Sequence, residues 1–156
     1  MIKTKNLSIL ILSLLLLSCG FKKIDRSNIN LVNIQNIKVI GDQRTSYSLK
    51  NEILLISNKN SNNKYDAEIT ITNQKKIKIK NKAGKATRYD LSITANLKLI
   101  NLSNKEELVK EFTRSGDYNV AKNHSDTTSN EKSAEENIIQ NLSDDIVYFI
   151  TFLVRN

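Results

Sequence analysis

Between Tyr89 and Leu99 every second residue is apolar. Tyr89, Leu91, Ile93, Ala95, Leu97 and Leu99 alternate with Asp90, Ser92, Thr94, Asn96 and Lys98. Successive side chains of a β-strand point to opposite faces, so this period predicts a half-buried strand with one wet face. A long strand of that kind needs neighbours and a cover for its apolar side. Sheets wet on one face are characteristically antiparallel.

The same period brackets this segment. Upstream, Ala67, Ile69 and Ile71 alternate with Glu68, Thr70 and Thr72, and the parity returns at Ile77 and Ile79 against Lys76, Lys78 and Lys80. Asn81-Lys82-Ala83-Gly84-Lys85 between the two runs has the composition of a hairpin loop. Downstream, a turn at 102–105 leads to a strand over 107–118, expected to bury Leu108 and Phe112. Nearer the start, Ile37, Val39 and Ile40 read as a short first strand broken by Gly41-Asp42. Residues 43–58 carry an apolar stripe at helical spacing, followed by the polar loop 58–63. Residues 119–128 read as a polar loop. Ser129 or Asn130 then caps a final helix with Glu131, Glu135 and Glu136 near its positive end. Its apolar residues Ile138, Ile139, Leu142, Ile146, Phe149, Ile150 and Leu153 fall on one stripe. The expected fold is α+β: an antiparallel sheet of about four strands with two helices packed on one face.

The N-terminus has a different character. Lys3 and Lys5 precede an apolar run from Leu7 to Leu17, too short to span a bilayer, which needs about 20 apolar residues. The run ends at Leu16-Leu17-Ser18-Cys19. The layout is that of an export signal. A Leu three positions before a Cys, with a small residue between, resembles the lipobox of bacterial lipoproteins. That resemblance implies cleavage after residue 18, lipid on the Cys19 thiol and attachment to a membrane through the N-terminus. Gly20 after the Cys, rather than Asp, implies sorting to the outer membrane, on its periplasm-facing side. The expected organisation is a signal over 1–18, a lipidated tether over 19–30 and a single domain over 31–156.

Composition narrows the function. Cys19 is the only cysteine, so no disulfide forms within the chain and apolar packing must supply the core. The charge is strongly basic, 24 Lys and Arg against 16 Asp and Glu. In a cytoplasmic protein that would suggest nucleic acid. For an exported chain the natural anions are lipid head groups, lipopolysaccharide above all, and no nucleic-acid partner is expected. The four glycines are scattered, so no phosphate-cradling loop exists. His124 is the single His, in a polar segment beside Asp126, and reads as a solvated side chain rather than a general base. No second His or Cys is available for zinc, and no metal or cofactor is expected. Glu135-Glu136 and Asp144-Asp145 are adjacent on a helix. Adjacent residues do not face each other there, so they read as wet surface rather than a catalytic pair.

Several segments together resemble the LptE family of lipopolysaccharide-assembly lipoproteins. They are Cys19-Gly20-Phe21 at the mature start, Arg88-Tyr89-Asp90-Leu91 and Ala95-Asn96-Leu97 on the long strand, and Phe112-Thr113-Arg114 and Asp117-Tyr118-Asn119 on the last. A helix with Ala134 and a closing aliphatic stripe follows. The resemblance implies a non-enzymatic protein that plugs and helps assemble the outer-membrane barrel LptD. It would also assist delivery of lipopolysaccharide to the outer leaflet. A second reading from the residues is a periplasm-facing lipoprotein that binds another ligand or envelope component. A lipid-anchored hydrolase has no nucleophile motif to support it. The resemblance also points to the hairpin loop for lipopolysaccharide contact, with Lys82 nearest the family's basic loop residue. Lys85 and Arg88 add to the local positive charge, and lipid A phosphates would pair with such groups. The same lysines would equally suit a solvated hairpin tip. Lys76, Lys78, Lys80 and Lys98 on the wet face could extend a basic stripe or guard the sheet edge.

Overall fold

The structure is a computed structural model that describes residues 32–155; the signal, Cys19 and the tether lie outside the described residues. Among the described residues, four strands and two helices follow in the order β1 (Asn33–Ile40), α1 (Gln43–Leu54), β2 (Lys64–Lys80), β3 (Ala86–Asn101), β4 (Glu107–Asn119) and α2 (His124–Arg155). The strands form one sheet in sequence order. The α+β architecture is the expected one. The sheet is mixed, however: β1 pairs parallel with β2, and only the β2–β3 and β3–β4 pairs are antiparallel. The reason is α1. A parallel neighbour requires a crossover between the strands, and a helix is the usual one.

Alternation decides which face is covered. Ala67, Ile69 and Ile71 of β2 and Leu91, Ile93, Ala95, Leu97 and Leu99 of β3 are buried on one side. They form a single core with Leu49 and Ile53 of α1 and Ile138, Ile139, Leu142, Ile146 and Ile150 of α2. Fully burying one such side chain contributes roughly 1.5–3 kcal/mol. Asp42 starts α1 by accepting hydrogen bonds from the Arg44 and Thr45 amides. Gly41 precedes it at φ +143°, and a Cβ there would sit 2.8 Å from the Ile71 carbonyl oxygen. Glycine is therefore needed where the chain leaves β1 and crosses close to β2.

Boundaries and burial differ from the sequence reading in four places. β1 starts at Asn33 rather than Ile37, because backbone bonds to the 57–63 segment organise its first residues: the Asn33 amide donates to the Asn63 carbonyl and the Ile34 amide to the Ser57 hydroxyl. α1 ends at Leu54 rather than residue 58. α2 starts at His124 rather than Ser129. There the Thr127 amide donates to the Asn123 carbonyl, the Asn123 amide side chain donates to the Asp126 carboxylate, and the Ala121 amide donates to the Thr127 hydroxyl. These local bonds overcome the weak helix propensity of the segment. Finally, Leu108 is 38 % exposed rather than buried, and Phe112 is half-buried. Both share the covered face. Yet Leu108 lies near the start of an edge strand, while Phe112 is reached by Phe149 of α2, edge to face at 5.5 Å between ring centres.

Candidate functional site

The surfaces outside the core include the uncovered sheet face and the far end of the β2–β3 hairpin. The uncovered face is polar over its centre, with Val109 exposed beside Lys98 and Ile40 and Ile79 at its margins. Thr94 and Thr113 share a hydrogen bond of 2.9 Å across β3 and β4, and Lys98 pairs with Glu107 at 2.8 Å. Toward the hairpin, Lys78 lies 3.7 Å from Asp90 and 3.4 Å from Asp117, and Arg88 reaches Asp117 at 3.1 Å. Lys78 is the extra residue where the β2–β3 register shifts between Ile77 and Ile79. The bulge lets its ammonium join the two aspartates. The basic stripe is thus largely paired: of the four lysines on it, only Lys76 and Lys80 make no ion pair among the described residues.

The hairpin tip is organised by Asn81. Its carboxamide oxygen accepts from the Ala83 and Lys85 amides, its own amide donates to the Lys85 carbonyl, and Gly84 supplies the positive φ of +78°. Lys82 and Lys85 stand exposed on this rigid turn, and neither makes an ion pair among the described residues. Arg88 is placed differently. Its Nε donates to the Asn119 carboxamide at 2.8 Å and faces Asp117. The structure brings the three predicted basic residues to one end but leaves only the two lysines uncommitted.

On the covered face, the N-terminal half of α2 is held to the hairpin-end halves of β2, β3 and β4 by a cluster that the sequence does not reveal. Lys75 Nζ bonds Glu131 at 2.7 Å and sits over the rings of Tyr89 and Tyr118, 4.7 and 5.3 Å from their centres. The two rings stack at 5.6 Å. Burial pushes the Tyr118 hydroxyl pKa up, and that hydroxyl is enclosed without a hydrogen bond of good geometry. Burial is the largest influence on both Lys75 and Glu131 and opposes their charge, but their mutual hydrogen bond and attraction, with the neighbouring Tyr118 hydroxyl, together outweigh it: the Lys75 pKa is raised and the Glu131 pKa lowered. The spacing of Lys75 with Tyr89 and Tyr118 on neighbouring strands was the available signal; Glu131 had no visible partner until the helix was placed. Similarly, Asp145 is gripped by the Arg114 guanidinium through two bonds, and Glu135 accepts from the buried Thr45 hydroxyl at 3.0 Å. Two of the four helix acids therefore fasten the fold rather than lining wet surface. His124 opens α2 with no enclosed partner. No group of three or more His, Cys, Asp or Glu gathers to hold a metal among the described residues.

The fold is a one-sided sheet under two helices whose bare face and hairpin end are largely polar and basic. The chain belongs to the LptE family, described as lipopolysaccharide-assembly, whose model matches residues 26–150. The family is one of assembly lipoproteins rather than enzymes, and it assigns the chain a role in lipopolysaccharide assembly at the cell envelope. The fold is similar to that of a protein described as a lipoprotein from Caulobacter crescentus CB15, with a TM-score of 0.59 at 12 % identity, covering 83 % of this chain and 94 % of that one. It is also similar to rare lipoprotein B from Shewanella oneidensis, with a TM-score of 0.56 at 12 % identity, covering 76 % and 95 %. No curated protein matches the sequence.

Proposed function

We propose that the chain is an outer-membrane lipoprotein, anchored through lipid on Cys19, that plugs the lipopolysaccharide-transport barrel LptD, helps it assemble and assists delivery of lipopolysaccharide to the outer leaflet. The observation that carries this reading is the bare polar sheet face. Thr72, Gln74, Ser92, Thr94, Asn96, Thr113 and Ser115 lie on the side that neither helix covers. The lumen of a large membrane barrel is itself polar and wet, so such a face can line it without burying unpaired charge. Among the described residues no helix is long and apolar enough to cross a membrane, which accords with attachment through lipid and partner.

Within this reading, Lys82 and Lys85 meet lipid A phosphates, and Arg88 contributes positive potential while held by Asp117 and Asn119. Ammonium–phosphate contacts of this kind weaken as salt rises. The decisive experiment is purification of the tagged protein from outer membranes. Co-purification of a barrel of the LptD type supports the plug; recovery without any barrel moves the chain to the second reading, a lipoprotein serving another envelope component. Cys19→Ser tests the anchor: the precursor is expected to stay uncleaved and unlipidated, and normal processing of the mutant would remove that part of the proposal.

A further inference from the structure

The two edges of the sheet are unlike. β1 covers β2 only as far as the Ile40–Thr70 pair, where the chain turns away at Gly41. Beyond it β2 continues from Ile71 to Lys80 with no strand on its outer side. From Thr72 onward every residue of this stretch is exposed. Its ladder is regular until the bulge at Lys78, so its outward N–H and C=O groups form a straight template. The stretch carries Lys75, Lys76, Lys78 and Lys80 and no acidic residue. The opposite edge, β4, mixes Glu107, Lys110, Glu111, Arg114 and Asp117 and carries no such bias.

We propose that the open edge Ile71–Lys80 receives an extended, acidic segment of a partner protein as an added strand. Main-chain bonds to an edge supply affinity, and the side chains at alternate positions supply selection. Like charges directly opposite one another disfavour pairing, whereas opposite charges favour it. Two copies of this edge would set lysine against lysine, so the edge rejects itself. An acidic strand instead meets Lys76 and Lys80, which make no ion pair among the described residues. Lys75 and Lys78 are held by Glu131 and by Asp90 and Asp117, and keep the edge in place. Thr72, Gln74 and Lys76 of this stretch also face the bare side, but the main-chain edge itself plays no part in the plug reading, so the inference stands whether or not that reading does.

The test uses the intact lipidated protein in detergent and two ten-residue peptides, one alternating glutamate with threonine and valine, the other with lysine in place of glutamate. Amide exchange and chemical shifts are followed residue by residue by NMR. The acidic peptide is expected to protect alternate amides between Ile71 and Lys80, and the lysine peptide to protect none. The double variant Lys76→Glu, Lys80→Glu is expected to keep the native spectrum elsewhere and to bind the acidic peptide about tenfold more weakly, two attractive cross-strand pairs having become repulsive. Absence of protection at millimolar acidic peptide overturns the proposal. So does binding without alternate protection, which marks diffuse charge attraction, or protection of β4 in place of β2.

Discussion

β2 is two strands in one. Up to Ile71 it lies between β1 and β3, under the helices, and its apolar residues are buried; beyond Ile71 the covered-face positions pass to Asn73 and Lys75, Ile77 is 48 % exposed, and the bulge at Lys78 sets Ile79, 47 % exposed, opposite Arg88 on the uncovered face. Both halves pair with β3. The difference lies in what covers them: α1 and β1 stop at the level of Ile71, and only the N-terminal half of α2 accompanies the extension. Period two therefore marks a strand and its faces, whereas burial depends on the length of the neighbouring elements. The lower half carries the stability. The upper half carries exposed charge on a backbone held by a hairpin, which is what a surface for other molecules requires.

The sharpest way to break this comparison is to cut the lower half. Leu97 is fully buried, and Leu97→Ala is expected to cost about 2–5 kcal/mol in chemical denaturation. The matching Ile77→Ala, half-exposed on the extension, should lose less than about 1 kcal/mol; equal losses would show that the extension belongs to the core. Next in size, Gly41→Ala places a Cβ against the Ile71 carbonyl at a left-handed φ and is expected to cost about 1–3 kcal/mol, read by the same measurement. A neutral Gly41→Ala would mean that the corner between β1 and α1 is free to shift.

Phe112→Ala lies between the two regimes. A fully buried ring would cost roughly 3–5 kcal/mol, but this one is half-buried and edge-on to Phe149, so a loss of about 2 kcal/mol is expected. The Lys75–Glu131 pair gives a smaller effect with a pH signature. Glu131 has its pKa lowered from the ordinary 4.5, so its contribution is present above that value and fades as pH falls through the folded-state pKa. Lys75 has its pKa raised from 10.5, so its contribution is present below that value and fades as pH rises through the folded-state pKa. Glu131→Gln should therefore flatten an acid-side loss of about 0.5 kcal/mol, no more, because both side chains keep about a third or more of their surface in water. A mutant with the wild-type acid profile would place that titration elsewhere. Smallest of all, Lys82→Glu with Lys85→Glu should change stability by less than about 0.5 kcal/mol while weakening lipopolysaccharide binding. Unchanged binding by the folded double mutant removes the tip as a contact site, and equal losses from charge reversal at Lys50 or Lys132 would indicate attraction by the whole surface.

What the sequence by itself determined is the local grammar. The alternation from Tyr89 to Leu99 named the covered face of β3 residue by residue, the 81–85 composition named its hairpin, and the stripe from Ile138 to Leu153 named the helix face that covers it. The basic tip was legible too, since Lys82 and Lys85 needed only a turn to present them. Tertiary structure decided everything that depends on a partner distant in the chain. The parallel placement of β1 follows from where α1 delivers the chain, which periodicity does not encode. The start of α2 at His124 was hidden by a run of Asn, Ser, Asp and Thr that has weak helix propensity until Asn123, Asp126 and Ala121 supply its terminal bonds. Leu108 and Phe112 share a face and a period, yet only one meets a helix. Lys75 and Glu131, Arg114 and Asp145, and Arg88 and Asp117 could be told from solvated charges only once the sheet and helix were superposed. Sequence spacing sets the direction in which a side chain points; contact depends on what the rest of the chain brings to that direction.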